Sequence, residues 1–423
     1  MNRKFIDYLK NNKLIVKLYS EMMNRIQTMN VVTEIAETRP ILYRPLSVPM
    51  EHNRLNLVIP SLTPKDVYGG IATAFYFYQE LCEKLDCDCR IIVLDAAVDL
   101  NNIVALDGYQ LVDWNEDCLS ERQIVDFSSR MKKTLAVGDK DIFMATIWWS
   151  AYILEPIMKW QSDYYNEKER KLIYLIQDYE PGFYPWSSKY LMADSTYRMN
   201  INTMAIFNSK LLCDYFKQQG YEFYKSWYFE PVLNEKLKEY LKNVKELPER
   251  KNQILIYGRP GTARNAFELI LSALREWTQI QDDAKDWCVV AAGEKFDEIE
   301  IADGVKLKSL GKLTLDEYAQ IMLESKIGIS LMVSPHPSYP PLEMSTFGMK
   351  VITNTYGNKD LKDFNENIFS IDNCSAKNIA NELKKLCSNK GNSEIKTDTD
   401  YYNSLQDWTL IKNEIYNELI ENE

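Results

Sequence analysis

Histidine is scarce in this chain: His52 and His336 are the two in 423 residues. The eight cysteines stand singly apart from Cys87 and Cys89, and no C-x-x-C occurs. A zinc site draws on closely spaced thiolates and imidazoles, so none is expected. Free, mostly buried thiols of a reducing compartment are the reading that remains. Basic charge is also short. A net charge of −11 excludes a general nucleic-acid binder, which needs a positive field. No apolar run approaches the roughly 18–20 residues that span a bilayer, and the first residues lack the apolar core of a secretory signal. The expected location is cytoplasmic. No G-x-G-x-x-G follows a predicted strand, which argues against a dehydrogenase.

Hydrophobic residues at 46% and charged residues at 26% are the proportions of a folded protein, not of a disordered one. A chain of 423 residues exceeds one core and predicts two α/β domains with an appendage. The 27 tyrosines and 9 tryptophans suit cores, and they also suit sugar clefts, where a flat ring packs on C–H faces.

Residues before about Pro49 read as helical and separate, with Arg39-Pro40 and Arg44-Pro45 as breaks. From Met1 to Asn30, six Lys/Arg face Asp7 and Glu21 among Phe5, Ile6, Leu9, Leu14 and Leu18. That pattern fits a helix lying on a membrane surface, or one packed on its own protein or in a homodimer. Buried strands are predicted at Leu55–Pro60, Cys89–Leu94, Asp141–Ala145 and Lys171–Ile176, with a helix from Ile71 to Leu85. After a Lys/Glu-rich stretch, Asn234 to Asn252, the pattern restarts. Strands follow at Gln253–Tyr257, Trp287–Ala292, Ile327–Val333 and Lys350–Thr353, with a helix from Ala266 to Ile280. Strand and helix alternate as in a parallel α/β sheet. The expected organisation is a helical extension (1–50), a first Rossmann-like domain (51–235), a second (236–395) and a closing segment (396–423). The closing helix, Tyr402 to Glu423, sets Leu405, Trp408, Ile411, Ile415, Tyr416 and Leu419 near one face.

Two segments of the second half carry candidate chemistry. In Gly258-Arg259-Pro260-Gly261-Thr262-Ala263-Arg264, a strand ends, glycines permit a tight turn, and two arginines precede a helix. Cations at a positive helix start make sense if an anion joins them, and a diphosphate would take both. In Ser334–Gly348, another strand ends and a helix opens near Pro341. Glu343 sits in its first turn, where its oxygens can accept from sugar hydroxyls. Pro340 and Pro341 lack N–H groups, so any phosphate-binding amide there comes from Ser338 or Tyr339.

The second half resembles the retaining, family 4-like glycosyltransferases of the GT-B architecture: two Rossmann-like domains facing a cleft. Arg259 and Arg264 resemble their diphosphate-binding G-R…K segment, with Arg264 for the usual lysine. Leu342-Glu343-Met344-Ser345-Thr346-Phe347-Gly348 resembles L-E-A-M-A-x-G, which gives Glu343 the nucleotide ribose. Gly69-Gly70 is similar to the pair that approaches the donor phosphates, and Trp408…Tyr416 to the closing helix that returns to the first domain. Gln177-Asp178-Tyr179-Glu180-Pro181-Gly182 resembles bacterial rhamnosyltransferases of surface-layer and O-antigen glycans. One departure concerns the donor sugar. The family's first glutamate of E-x7-E, which touches donor-sugar hydroxyls, is Pro335 here, as a deoxy sugar such as rhamnose would tolerate.

The resemblance implies a nucleotide-diphosphate sugar, dTDP-L-rhamnose as best fit, and a glycan or lipid-linked oligosaccharide acceptor. It gives Asp178, Glu180 and Arg259 catalytic roles. Gly69, Gly70, Arg259, Arg264, Lys312, Ser338, Tyr339 and Glu343 hold the donor. Asp86-Cys87-Asp88 and Asp398-Thr399-Asp400 are D-x-D strings, but neither follows a strand in a donor loop, so cations rather than a metal are expected to hold the leaving diphosphate. Tyr184 and Trp186 are an acceptor platform or core. His336, between two prolines, receives no role. Two other readings stay open: a nucleotide-sugar epimerase on the same fold, and a non-catalytic partner that binds glycan or sugar nucleotide.

Overall fold

The computed structural model describes residues 34–63, 69–99, 106, 108–118, 120–244, 248–388 and 394–420. The basic stretch from Met1 to Asn30 lies outside the described residues, as does the helix expected there. The chain divides at Pro40 into two units. In the first, Glu34–Pro40 is described and holds one 3-10 turn, Ala36–Thr38. The second unit, Ile41–Glu423, opens on a strand, Leu42–Pro45, parallel to Thr134–Val137. The expected helical stretch up to Pro49 is corrected here. Arg44-Pro45, read as a helix break, is strand, which proline tolerates at an edge.

Two large sheets follow. The eight-stranded one runs, edge to edge, Lys225–Tyr228, Thr203–Phe207, Leu172–Ile176, Asp141–Ala145, Arg54–Ile59, Asp88–Val93, Arg122–Asp126 and Gln110–Val112. Every pairing in it is parallel. The seven-stranded one runs Ile299–Ala302, Val305–Gly311, Cys288–Gly293, Lys251–Gly258, Ser325–Ile329, Lys350–Asn354 and Ile368–Ile371, with its first pair antiparallel. In both, the chain enters near the centre, runs to one edge, returns beside its entry strand and runs to the other edge. Ligand groups gather at such reversals, beyond the C-terminal ends of the strands. The reversals fall between Arg54–Ile59 and Asp141–Ala145, and between Lys251–Gly258 and Ser325–Ile329.

Both faces of the central strands are covered, which is why they read as apolar runs rather than alternations. All six residues of Arg54–Ile59 are buried. Its two polar members are explained by Asp141. That carboxylate takes Arg54 Nε at 2.7 Å, Asn56 Nδ2 at 2.9 Å and Arg90 at 3.2 Å. The arginines and Asn56 overcome the burial that would raise the Asp141 pKa and hold it below the usual carboxylate range.

The Lys/Glu-rich stretch after Asn234 is a helix, Glu235–Asn243, capped by the Asn234 side chain on the Lys236 N–H. Leu237 and Leu241 turn into the second sheet's core. The last described helix, Thr409–Ile420, packs on the first sheet's core through Trp408, Ile411 and Ile415. Trp408 meets the rings of Phe77 and Phe229 edge-on, at 5.5 and 5.8 Å. Lys412–Glu80 and Lys171–Glu418 ion pairs fix its flanks. Among the described residues, no helix is long and apolar enough to cross a membrane.

Candidate active site

The strand Lys251–Gly258 delivers Arg259 and then a turn to its C-terminal end. Gly258 pairs with Gly293 in the neighbouring strand. Gly293 has φ +138°, and a Cβ on it would lie 2.4 Å from the Gly258 carbonyl oxygen, so this close approach needs glycine. Glu294 follows, and its carboxylate shapes the loop. It accepts the Gly261 N–H at 2.7 Å and faces Arg259 at 3.4 Å. Arg264 leaves the same loop in another direction. Its guanidinium lies over the Phe183 ring at 4.3 Å and faces Asp178 at 3.5 Å. The two arginines expected to fork one diphosphate are thus each matched to a separate carboxylate.

Asp178 follows the first-sheet strand Leu172–Ile176 and is buried. One carboxylate oxygen accepts the Tyr179 N–H at 2.8 Å and the Ser334 hydroxyl proton, and the other faces Arg264. Asp178 therefore joins the C-terminal edges of the two sheets. Asn358 adds a second link, its side-chain amide donating to the Leu211 carbonyl at 2.9 Å.

Glu180 does not share that outlook. It is buried in a 3-10 turn, Glu180–Phe183, and accepts the Trp148 N–H at 2.6 Å. Trp148 opens the helix Trp148–Tyr165, so the carboxyl caps an orphan amide there. Burial pushes its pKa up to about 8, opposed by the Trp148 bond and reinforced by the Asp178 charge. The structure gives Glu180 a capping post at the start of that helix. Tyr184 accepts from Trp148 Nε1 at 2.9 Å. Trp186 is 96% exposed and stacks flat on Tyr190, with ring centroids 6.0 Å apart.

Gly69 (φ +50°) precedes the sixteen-residue helix Gly70–Leu85, whose start has no side-chain cap. A Cβ on Gly70 would lie 2.8 Å from Gln177 Oε1. Gln177 Oε1 and Asn208 Oδ1, both just past strand ends, are buried without hydrogen-bond partners among the described residues.

Across the junction, Ser338 (φ +70°) precedes the helix Tyr339–Thr346. Its N–H donates to His336 Nδ1 at 3.0 Å, so it is not free for a phosphate as expected. Tyr339 holds the amide that remains in this turn, since Pro340 and Pro341 have none. Glu343 is half-buried beside the Tyr318 hydroxyl, with Tyr339 and Tyr401 near. Burial pushes its pKa up to about 7, and the Tyr318 hydroxyl opposes the rise. Lys312 is exposed in the turn after Val305–Gly311.

Sequence reasoning missed Glu294, which needs the Gly258–Gly293 register to be seen, and Lys359. Lys359 is buried, donates to the Met332 carbonyl at 2.6 Å, and lies in the field of Asp178. Burial pulls its pKa down to about 7, against Asp178. Nothing marks it among 50 basic residues in the sequence. The D-x-D strings lie elsewhere. Asp86 ends a helix and Asp88 starts a strand, at the opposite edge of the sheet, and Thr399 caps the short helix Asp400–Asn403.

Two parallel sheets meeting at their C-terminal edges, with the candidate groups at the junction, define the GT-B fold. Solved structures share it. A sucrose-phosphate synthase from Thermosynechococcus elongatus matches with TM-score 0.53 at 12% identity, over 88% of this chain and all of that one. WaaG, a glycosyltransferase involved in lipopolysaccharide biosynthesis, matches with TM-score 0.50 at 11% identity, over 86% of this chain and 99% of that one. The WsaF N-terminal domain matches residues 54–210, the WsaF C-terminal domain residues 252–384, and the chain belongs to the WsaF family. The O-antigen biosynthesis protein RfbC of Myxococcus xanthus is 30% identical over 214 residues. That match covers 51% of this chain and 15% of RfbC.

Proposed function

We propose that the protein is a glycosyltransferase of bacterial surface polysaccharide assembly, moving L-rhamnose from dTDP-L-rhamnose onto a glycan or lipid-linked oligosaccharide with retention. The observation that carries this reading is the junction itself. Asp178 of one domain faces Arg264 and Ser334 of the other, with Arg259 on a flanking loop and Glu343 in the helix Tyr339–Thr346 of the second domain. WsaF membership and the RfbC likeness support the glycan context.

In this reading Glu343 accepts from the ribose hydroxyls. Arg259, Arg264, the Tyr339 N–H and the uncapped amides at Gly69-Gly70 take the diphosphate, with Lys312 near its base end. Preorganised positive charge stabilises the leaving diphosphate in place of a metal. Asp178 orients the acceptor and supports positive charge at the anomeric carbon. A leaving phosphate oxygen takes the acceptor's proton, so no protein nucleophile is required. The enzyme works in the cytoplasm, with peripheral contact at the inner face of the cell membrane as the alternative.

Calorimetric titration with dTDP-L-rhamnose, UDP-glucose and GDP-mannose in EDTA tests the donor site. One donor should bind, and Arg259→Ala should weaken it by about ten- to a hundredfold, as one charge-assisted bond is worth about 1.5–3 kcal/mol. Binding of none by folded protein, or loss of binding in EDTA, would contradict the reading.

A further inference from the structure

His336 lies on the loop between the strand Ser325–Ile329 and the helix Tyr339–Thr346 and is 5% exposed. Its Nδ1 accepts the Ser338 N–H at 3.0 Å. A ring nitrogen that accepts an amide proton carries none, so in the neutral imidazole the proton is on Nε2. That Nε2–H is buried and has no partner among the described residues. An unpaired buried donor costs about 1–3 kcal/mol, which a bound ligand would offset. The loop is held for it: the His336 N–H donates to Ser334 Oγ at 3.0 Å, and Ser334 donates to Asp178. The charged groups facing the ring are Asp178, Lys359 and Arg264, with the Tyr339 ring 5.8 Å away. Burial and the two cations hold its pKa down to about 4 against the pull of Asp178, so the ring is neutral at neutral pH.

We propose that His336 Nε2–H donates a hydrogen bond to a hydroxyl of the transferred sugar and so helps decide which sugar is accepted. This rests on the junction being a nucleotide-sugar site. If Glu343 takes the ribose and the arginines the diphosphate, the sugar lies beyond Arg264, toward Asp178 and His336. A hydroxyl both accepts and donates, so it fits between a neutral N–H and a carboxylate. A charged phosphate oxygen, which only accepts, does not. A site built to bond one hydroxyl discriminates against sugars that lack or invert it.

The test compares dTDP with dTDP-L-rhamnose by calorimetry on the wild type, His336→Ala and His336→Gln. If the wild type binds UDP-glucose instead, the UDP and UDP-glucose pair is compared in the same way. His336→Ala should bind the free nucleotide within about twofold of wild type but lose about tenfold for the sugar nucleotide, as one net hydrogen bond implies. His336→Gln, which restores an N–H donor at similar reach, should recover part of that loss. The loss in sugar-nucleotide affinity from wild type to His336→Ala should be the same at about pH 6 and pH 8, as a neutral donor requires, because the titration of Lys359 and of the nucleotide is common to both proteins. Equal losses for nucleotide and sugar nucleotide in His336→Ala, or no loss, would overturn the proposal while leaving the donor site standing. Failure of the wild type to bind either nucleotide or sugar nucleotide would overturn both.

Discussion

Glu343 and Glu180 are carboxyl groups that burial drives toward neutrality, and their neighbours give them opposite work. Glu343 sits among tyrosines at the junction, with its pKa near 7 in the unliganded protein. If its carboxylate is the form that accepts from ribose, donor affinity rises with pH through about 7 and levels above it. Each unit below that value should cost close to tenfold, because the carboxylate population falls by that factor. Glu343→Gln should bind more weakly at pH 8 and show no such slope between about pH 6 and 8. A wild-type profile flat across that range would contradict the assignment. The L-E-M-S-T-F-G motif made Glu343 legible, as Gln177–Pro185 did Asp178. What the motifs could not carry was pairing. Arg264 meets Asp178 only once the two sheets are set edge to edge, and Glu294 meets Arg259 only through the Gly258–Gly293 register. His336 received no role because its meaning lies in a bond to the Ser338 amide, which no residue type announces.

Glu180 acts through a helix, because its carboxyl completes the start of Trp148–Tyr165. Glu180→Ala should lower unfolding stability by about 1–3 kcal/mol, the cost of a lost cap or an unpaired buried amide. Glu180→Gln, which keeps an acceptor, should lose less and keep its turnover. Denaturant unfolding beside steady-state rates decides this. A stable Glu180→Gln protein without activity would return Glu180 to the chemistry. The long apolar strands were readable because both their faces are buried. Thr203–Phe207 and Ile368–Ile371 were passed over although Asp141–Ala145 is no longer than the first of them, because in runs of four or five residues helix and strand periods do not separate. The apolar run Ile327–Val333 outlasts its strand, which ends at Ile329. Leu331 continues into the core after the ladder stops, and Asn354 holds the Met332 backbone. The expected helix from Tyr402 is split in two, with Leu405 70% exposed in the break.

For the whole molecule, the last helix ties the end of the chain to the first sheet, so the chain's end supports the domain that carries Asp178. Trp408→Ala removes a ring packed on Phe77 and Phe229 and should cost about 3–5 kcal/mol, seen as a lower melting temperature. A change under about 1 kcal/mol would mean that this contact is not part of the core. The two-sheet plan was legible from the restart of the strand–helix alternation after Asn252. The junction was legible only by resemblance, because it is built by topology rather than by any local run. We propose that the junction transfers a sugar with retention and without a metal. The direct measurement is transfer from dTDP-L-rhamnose to a surface-glycan acceptor in EDTA, with the anomeric configuration of the product read by NMR. The product is expected to keep the donor's anomeric configuration, to form undiminished in EDTA and to fall at least about a hundredfold in folded Asp178→Asn. Inversion, dependence on a divalent ion, or full activity in Asp178→Asn would contradict it.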